Sequence, residues 1–279
     1  MKKMIAIIMI LVLVFALTGI FVACNKTDSE YITVGLECGY APYNWTQLDD
    51  SNGAVKISNA DGYANGYDVM IAKKIAEACG KKLRIVKYEW DALIPAVVSG
   101  ALDFIIAGMS PNEERKEAID FSDVYYNSKL VIVVRRDGAF AGATNLDDFR
   151  GAKIVAQNGT FHDDALEAQA SAHGIIRQTP MSTFPDMINA LRTKAIDGYV
   201  AEEPGAVADC AANSDFTYIN LENNTTGFIA TEADTALAIG MKKNSSWKDT
   251  INEALAIISE EERITMMQQA TAWSVNQIG

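Results

Sequence analysis

Two histidines, His162 and His173, are all that 279 residues provide, and neither lies near a nucleophile-like signature. A Ser/His/Asp arrangement therefore has almost no candidates. Cysteine is nearly as scarce. Beyond Cys24, the residues Cys38, Cys79 and Cys210 form an odd set at no metal-ligand spacing, which argues against a zinc site and against a disulfide framework. Positive charge is also short: 24 Lys and Arg face 36 Asp and Glu, for a formal charge of −12, so nucleic acid is an unsuitable partner. Asn158-Gly159-Thr160-Phe161 lacks the further glycine and the lysine that a phosphate loop needs. No metal and no cofactor is expected.

What is present begins with a targeting pattern. MKK and then Ile5 to Ala23 make a short basic region and a long apolar run, which reads as an export signal or an anchor. Phe21-Val22-Ala23 closes the run before Cys24, and a polar tether follows from Asn25 to Glu30. The pattern resembles a bacterial lipoprotein signal, in which the cysteine is lipidated and becomes the first mature residue, although the usual leucine three before it is Phe21. An uncleaved membrane helix is the alternative, since the run is nearly long enough to span. Removal of residues 1–23 takes away Lys2 and Lys3, leaving 22 basic residues against 36 acidic ones and a formal charge of −14. With 49 % hydrophobic residues the rest can bury a large core, as two lobes or one large domain.

The stretch from Trp90 to Arg115 carries the densest pattern. Leu93, Ile94, Val97 and Val98 recur at helical spacing from Asp91, and Ser99-Gly100 stops that helix. Leu102 to Ala107 is a short apolar run that suits a strand covered on both faces. Ser110-Pro111-Asn112-Glu113 then reads as a capping box with proline at the first helical position. Such a helix start offers unpaired N–H groups and a positive dipole end to an anion. Arg115, one turn in, can swing back over the same anion and hold a carboxylate through two parallel bonds. The plainer alternative is a capped surface helix with a solvated arginine.

A second copy of the pattern follows 94 residues later. Trp90 to Val97 lies over Phe184 to Leu191, and Ala101 to Ala107 over Ala195 to Ala201, with Ile94/Ile188, Ala96/Ala190, Ala101/Ala195, Asp103/Asp197 and Ala107/Ala201 identical. A helix–strand unit used once in each of two similar lobes explains this. In that register Gly108 corresponds to Glu202, so one lobe offers Arg115 and the other a carboxylate to a shared cleft.

In chain order, Tyr31 to Leu36 reads as a strand, followed by a loop with Glu37, Tyr40, Tyr43 and Trp45. The aromatics of that loop either line a site or roof the core. Asp49 to Asn65 reads as a surface excursion, and Asp68 as the cap of a helix with Ile71, Ile75 and Cys79 inward and Gly80 as its stop. Leu83 to Tyr88 is the next strand, and the alternation predicts parallel pairing. Lys129 to Val134 is a β-branched strand, and 131–136 is the expected crossing between lobes. Lys153 to Gln157 reads as a strand and Thr160 with Asp163 as another cap. Ala236 to Met241 is the expected return strand, and helices near 247–258 and 260–271 finish on the first lobe.

Taken together, Gly66-Tyr67-Asp68-Val69, Trp90-Asp91 with Leu93-Ile94-Pro95, Gly108-Met109-Ser110-Pro111 with Glu114-Arg115, Asp120-Phe121-Ser122 with Tyr125-Tyr126, and Gln157-Asn158-Gly159-Thr160 resemble the polar amino-acid-binding proteins of ABC importers. These are relatives of the histidine, lysine/arginine/ornithine and glutamine receptors, and the resemblance spans roughly residues 31–273. It implies a two-lobed α/β fold of the type II periplasmic-binding-protein kind, each lobe a mostly parallel sheet flanked by helices, with two hinge crossings. On this reading 31–133 with 236–279 form one lobe and 134–235 the other, after a signal at 1–23 and a tether at 24–30.

The resemblance further implies that Arg115 grips a ligand α-carboxylate, helped by N–H and hydroxyl groups at Gly108, Ser110 and Thr160. Glu202, at a position more often Asp in the family, takes the α-ammonium group. Tyr40 and Trp90 sandwich the side chain and Glu37 reads its far end. A negative charge beside two rings suits a cation, so arginine or lysine is the expected ligand, with glutamine or histidine as alternatives. The implied partners are a membrane permease and, through Cys24, the membrane on its extracytoplasmic face; the chain is expected to be a monomer and no enzyme. The fold also resembles cyclohexadienyl dehydratases, which would make Glu202 a general acid instead. Glu37 opposes that use, since it would repel a second carboxylate.

Overall fold

The structure, a computed structural model, describes residues 30–278; the expected signal segment and Cys24 lie outside them. β1 (Tyr31–Leu36) leads into β2 (Gly39–Tyr40) and β3 (Asn44–Gln47), and the chain continues through β4 (Val55–Lys56) and β5 (Tyr63–Asn65). These last four form a small antiparallel sheet, so the expected surface excursion carries structure of its own. Tyr43 and Trp45, at 0 and 3 % exposure, roof the core beneath it. Then follow α1 (Tyr67–Ala78), β6 (Lys82–Lys87), α2 (Leu93–Ser99), β7 (Phe104–Ile105), α3 (Glu113–Ala118) and β8 (Asp120–Asn127).

The chain next forms β9 (Leu130–Arg135), β10 (Lys153–Val155), α4 (Phe161–His173), β11 (Ile176–Arg177), α5 (Phe184–Arg192), β12 (Gly198–Glu202), α6 (Glu203–Ala212) and β13 (Phe216–Ile219). It ends with α7 (Glu232–Thr235), β14 (Ala236–Met241), α8 (Lys248–Ala256) and α9 (Glu260–Ile278). Two five-stranded sheets result, ordered β6-β1-β7-β14-β8 and β11-β10-β12-β9-β13. In each, three neighbouring strands are parallel and the last two pairings are antiparallel. Each sheet is therefore mostly parallel in strand direction, with one reversed strand, β14 in the first and β9 in the second. The repeat read from the sequence falls on α2 with β7 and on α5 with β12, each strand at the centre of its sheet.

β9 pairs with β12 and β13, so the chain has already crossed at Ser128-Lys129, before the expected boundary at 133–134. The reason is burial: Leu130 to Val134 are all 0–1 % exposed and fill the middle of the second sheet, where a hinge would strand apolar side chains in water. The ending also differs. α8 packs on α1 and β8, but α9 lies against α6 of the second lobe as well as α1 of the first.

Two expected helix starts move. α1 begins at Gly66, whose φ of 129° needs glycine, and an added Cβ would lie 2.2 Å from the Tyr43 carbonyl oxygen. Asp68 sits inside its first turn without capping. α3 is capped by Asn112, which accepts from the Arg115 N–H at 3.0 Å, rather than by Ser110. Of the inward positions expected on α2, Leu93 and Val97 are buried whereas Val98 is 43 % exposed. The strand expected over Leu102–Ala107 pairs only at Phe104–Ile105, although the flanking apolar residues are buried.

Candidate functional site

The loops at the carboxyl ends of β1 and β7 face those at the ends of β10 and β12. From the first lobe come Tyr40, Trp90, Gly108, Ser110 and Arg115; from the second come Gln157, Thr160, Phe161, His162 and Glu202. All ten line one cavity, of about 20 Å³. Seven of the eight ligand-site residues read from the sequence are thus gathered in one place. Glu37 is the exception.

Arg115 is 8 % exposed, and its guanidinium donates to the Ser110 carbonyl at 2.9 Å and to the Gly159 carbonyl across the cleft at 3.2 Å. It lies 5.2 Å from the Trp90 ring centroid, within cation–π range. Burial pulls its pKa below the ordinary arginine value, while Asp164, Glu114 and Glu202 oppose that shift. Glu202 ends β12 and is 2 % exposed. Its Oε2 accepts from the Tyr40 hydroxyl at 2.9 Å, and its Oε1 stands 3.7 Å from His162 Nε2. Burial first, and the Glu202 charge second, push the Tyr40 phenol well above its usual range. The cavity therefore has a cationic end from one lobe and an anionic end from the other, both desolvated.

The individual roles differ from expectation in several places. The Gly108 N–H donates to the Tyr125 hydroxyl at 3.2 Å and is not aimed at a ligand. Thr160 begins α4 without capping it; its hydroxyl donates to the Gln157 carbonyl at 2.7 Å. Asp163, the other half of that expected cap, is instead held by Arg177 through bonds of 2.9 and 2.7 Å. Tyr40 and Trp90 both line the cavity, each packed on a different partner. Trp90 covers Arg115 and donates to the Gly159 carbonyl at 2.9 Å, while Tyr40 stacks on Phe184 at 4.0 Å between centroids.

Glu37 lies one residue further out. Its carboxylate accepts from Gln157 Nε2 at 3.0 Å and lines a separate cavity of about 470 Å³ with Tyr40, Phe184, Lys87 and Glu89. That space is larger, but Arg115 and Glu202 line only the smaller one. Burial raises Glu37 to about 7 against the bond from Gln157. Sequence reasoning missed Gln157 as the link, Phe184 and His162. Phe184 had a signal, because it is the repeat counterpart of Trp90; His162 had none.

A buried cation from one lobe and a buried anion from the other define a class: a two-lobed cleft protein with opposed charges suited to a small dipolar solute. A family model for bacterial extracellular solute-binding proteins, family 3, matches residues 32–271, and the chain belongs to that family. It is 24 % identical to the arginine-binding extracellular protein ArtP of Bacillus subtilis (strain 168), over 96 % of this chain and 97 % of that protein. A probable histidine-binding protein of Campylobacter jejuni is 29 % identical over 71 % of this chain and 75 % of its own length. Among solved structures, an ancestral arginine-binding protein bound to arginine has a TM-score of 0.69 at 26 % identity, covering 86 % of this chain and 97 % of that one. A Streptococcus pneumoniae amino acid ABC transporter substrate-binding protein bound to L-arginine has a TM-score of 0.75 at 24 % identity, covering 87 and 94 % of the two chains, and shares the fold. Among the described residues no helix is long and apolar enough to cross a membrane.

Proposed function

We propose that this chain is the receptor of an ABC amino-acid importer, binding one free amino acid between lobes that close on it. The observation that carries the reading is the convergence of Arg115 and Glu202 on one cavity from opposite lobes. A zwitterion buried there meets an opposite charge at each end, without which desolvation would cost several kcal/mol per ion. Because the ligand touches both lobes, its binding energy favours the closed form, which a permease can read. The ligand is cationic, arginine or lysine, with its side chain running past Tyr40 toward Gln157 and Glu37; relatives named for arginine support that choice. The chain acts as a receptor and not as a catalyst, a reading supported by relatives named for binding and by Glu37, which would repel the second carboxylate of a dehydratase substrate. A monomer anchored by lipid at Cys24 on the extracytoplasmic face completes the reading.

Calorimetric titration with the twenty amino acids tests it. Arginine or lysine binds tightest, and Arg115→Ala weakens every amino acid by roughly 2–5 kcal/mol, the cost of stranding a buried charge partner, without loss of the folded circular-dichroism signal. Tight glutamine binding with no response to arginine would overturn the ligand choice; an Arg115→Ala variant that binds normally would overturn the carboxylate role.

A further inference from the structure

Asp68 has no part in the reading above, yet its side chain ties the two ligand-facing loops of the first lobe together. It is fully buried in the first turn of α1, and each of its oxygens accepts one side-chain bond that leads to a different loop. On one side the Tyr125 hydroxyl donates to Oδ1 at 2.8 Å and accepts from the Gly108 N–H at 3.2 Å. On the other, Asn44 Nδ2 donates to Oδ2 at 2.8 Å, while Asn44 Oδ1 accepts from the Cys38 N–H at 2.7 Å. Both receiving residues are left-handed, with φ of 61° at Gly108 and 58° at Cys38. For Cys38 that conformation is unfavourable and persists only where surrounding bonds hold it.

We propose that Asp68 is a positioning residue for ligand binding: in its ionised form it fixes the loops around Cys38 and Gly108, and so aims Tyr40 and the Ser110–Arg115 segment into the cavity. For the identity of the ligand this rests on the amino-acid reading; the relay itself does not. The charge state matters because all four links in the network are oriented. A proton on Asp68 turns one acceptor oxygen into a donor. If Asn44 flips to accept it, the Asn44 amide nitrogen faces the Cys38 N–H, donor against donor. If Tyr125 accepts it, the tyrosine proton loses its buried acceptor. Either way a buried donor is left unpaired, which loosens the network that holds the two loops.

The titratable groups around Asp68 are Tyr125 on β8, Cys38 after β1, Tyr67 on its own helix and Glu202 from the second lobe, none of them a cation. Burial, with the Glu202 charge on its side, prevails over the bonds from Asn44, Tyr125 and the Gly108 N–H, and Asp68 is raised to about 7. An ammonium group at Glu202 screens the repulsion between Glu202 and Asp68, so ligand binding and ionisation of Asp68 favour each other.

The test compares the full mature chain with Asp68→Asn and Tyr125→Phe, by amide hydrogen exchange at Cys38 and Gly108 and by titration of arginine and glutamine between pH 5.5 and 8. Asp68→Asn is expected to speed exchange at one or both amides about tenfold or more and to weaken both ligands about tenfold at pH 8. It also removes the pH dependence that the two ligands share. Tyr125→Phe leaves the Gly108 amide only its direct contact with Asp68, so exchange there speeds up while Cys38 stays protected. Wild-type protection at both amides in the two variants, or a shared pH slope that survives Asp68→Asn, overturns the proposal. If Asp68→Asn does not fold, Tyr125→Phe decides, since unchanged affinity with faster exchange at the Gly108 amide also overturns it. A wild-type chain that binds no amino acid sinks the receptor reading, while the exchange data still decide the relay.

Discussion

Glu37 lines the cavity next to the one that Arg115 and Glu202 share, with Gln157 between the two. Its carboxylate is 6 % exposed and bonded by Gln157, and burial puts its titration at about 7 instead of in the usual carboxylate range. A guanidinium or ammonium drawn up to it favours the ionised form and lowers that value. Binding of a cationic side chain is therefore strongest above pH 7 and weakens as pH falls below it, until the pKa of the bound state is reached. A neutral side chain gains nothing from the ionised carboxylate. Arginine affinity is expected to fall by about threefold to tenfold from pH 8 to pH 6 beyond any fall seen for glutamine, and Glu37→Gln should abolish that difference. Parallel curves for the two ligands in the wild-type chain would remove Glu37 from the side-chain contacts.

At the scale of elements, α3 separates two roles that one short motif had merged. Asn112 accepts from the Arg115 backbone N–H, and Ser110, two residues earlier, lends its carbonyl to the Arg115 guanidinium. Asn112→Ala is expected to cost about 1 kcal/mol of stability, read as a lower denaturation midpoint in urea. Ser110→Ala keeps that carbonyl and leaves stability within about 0.5 kcal/mol, so it weakens ligand binding only by what the lost hydroxyl contributed. A reversal of these effects would return the cap to Ser110. The same contrast explains what the sequence made legible. The periodicity of Leu93 and Val97, the β-branched run of β9 and the 94-residue repeat placed α2, β9, α5 and β12, because those signals arise from burial of whole faces. The cap at Asn112 depends on which of several adequate polar residues wins a local competition, and the crossing at Ser128-Lys129 on which sheet buries the β9 run; periodicity is silent on both. The Glu37–Gln157 link joins residues 120 positions apart and left no trace in either local pattern.

For the molecule as a whole, the buried acids that tune the cleft also set how stability varies with pH, and the two quantities move in opposite directions. Glu37, Asp68 and Asp209, the last bonded only 2.6 Å from the Tyr199 hydroxyl, are each raised by burial to about 7. An unfolded chain titrates the same groups near 4, so between about pH 4 and 7 the folded form binds more protons than the unfolded one. The stability these acids contribute is complete below the unfolded value and is lost as pH rises through the folded one. Exposed acids act in the other sense but lower down: Asp49 and Asp120 are held below their usual range by hydrogen bonds, Asp49 chiefly from Ser51 and Asp120 chiefly from Asn244, and destabilise only in stronger acid. Partial neutralisation of a chain with formal charge −12 adds relief of self-repulsion. The ligand-free protein is therefore expected to melt higher at pH 5.5 than at pH 8, by roughly 5–10 °C, while arginine binding is weaker at pH 5.5. Scanning calorimetry of the wild type and of Asp209→Asn checks this. That variant should lose part of the melting shift between pH 5.5 and 8. A melting temperature that rises from pH 5.5 to 8 would mean that these carboxylates stay ionised when buried, and the opposed trends would not exist.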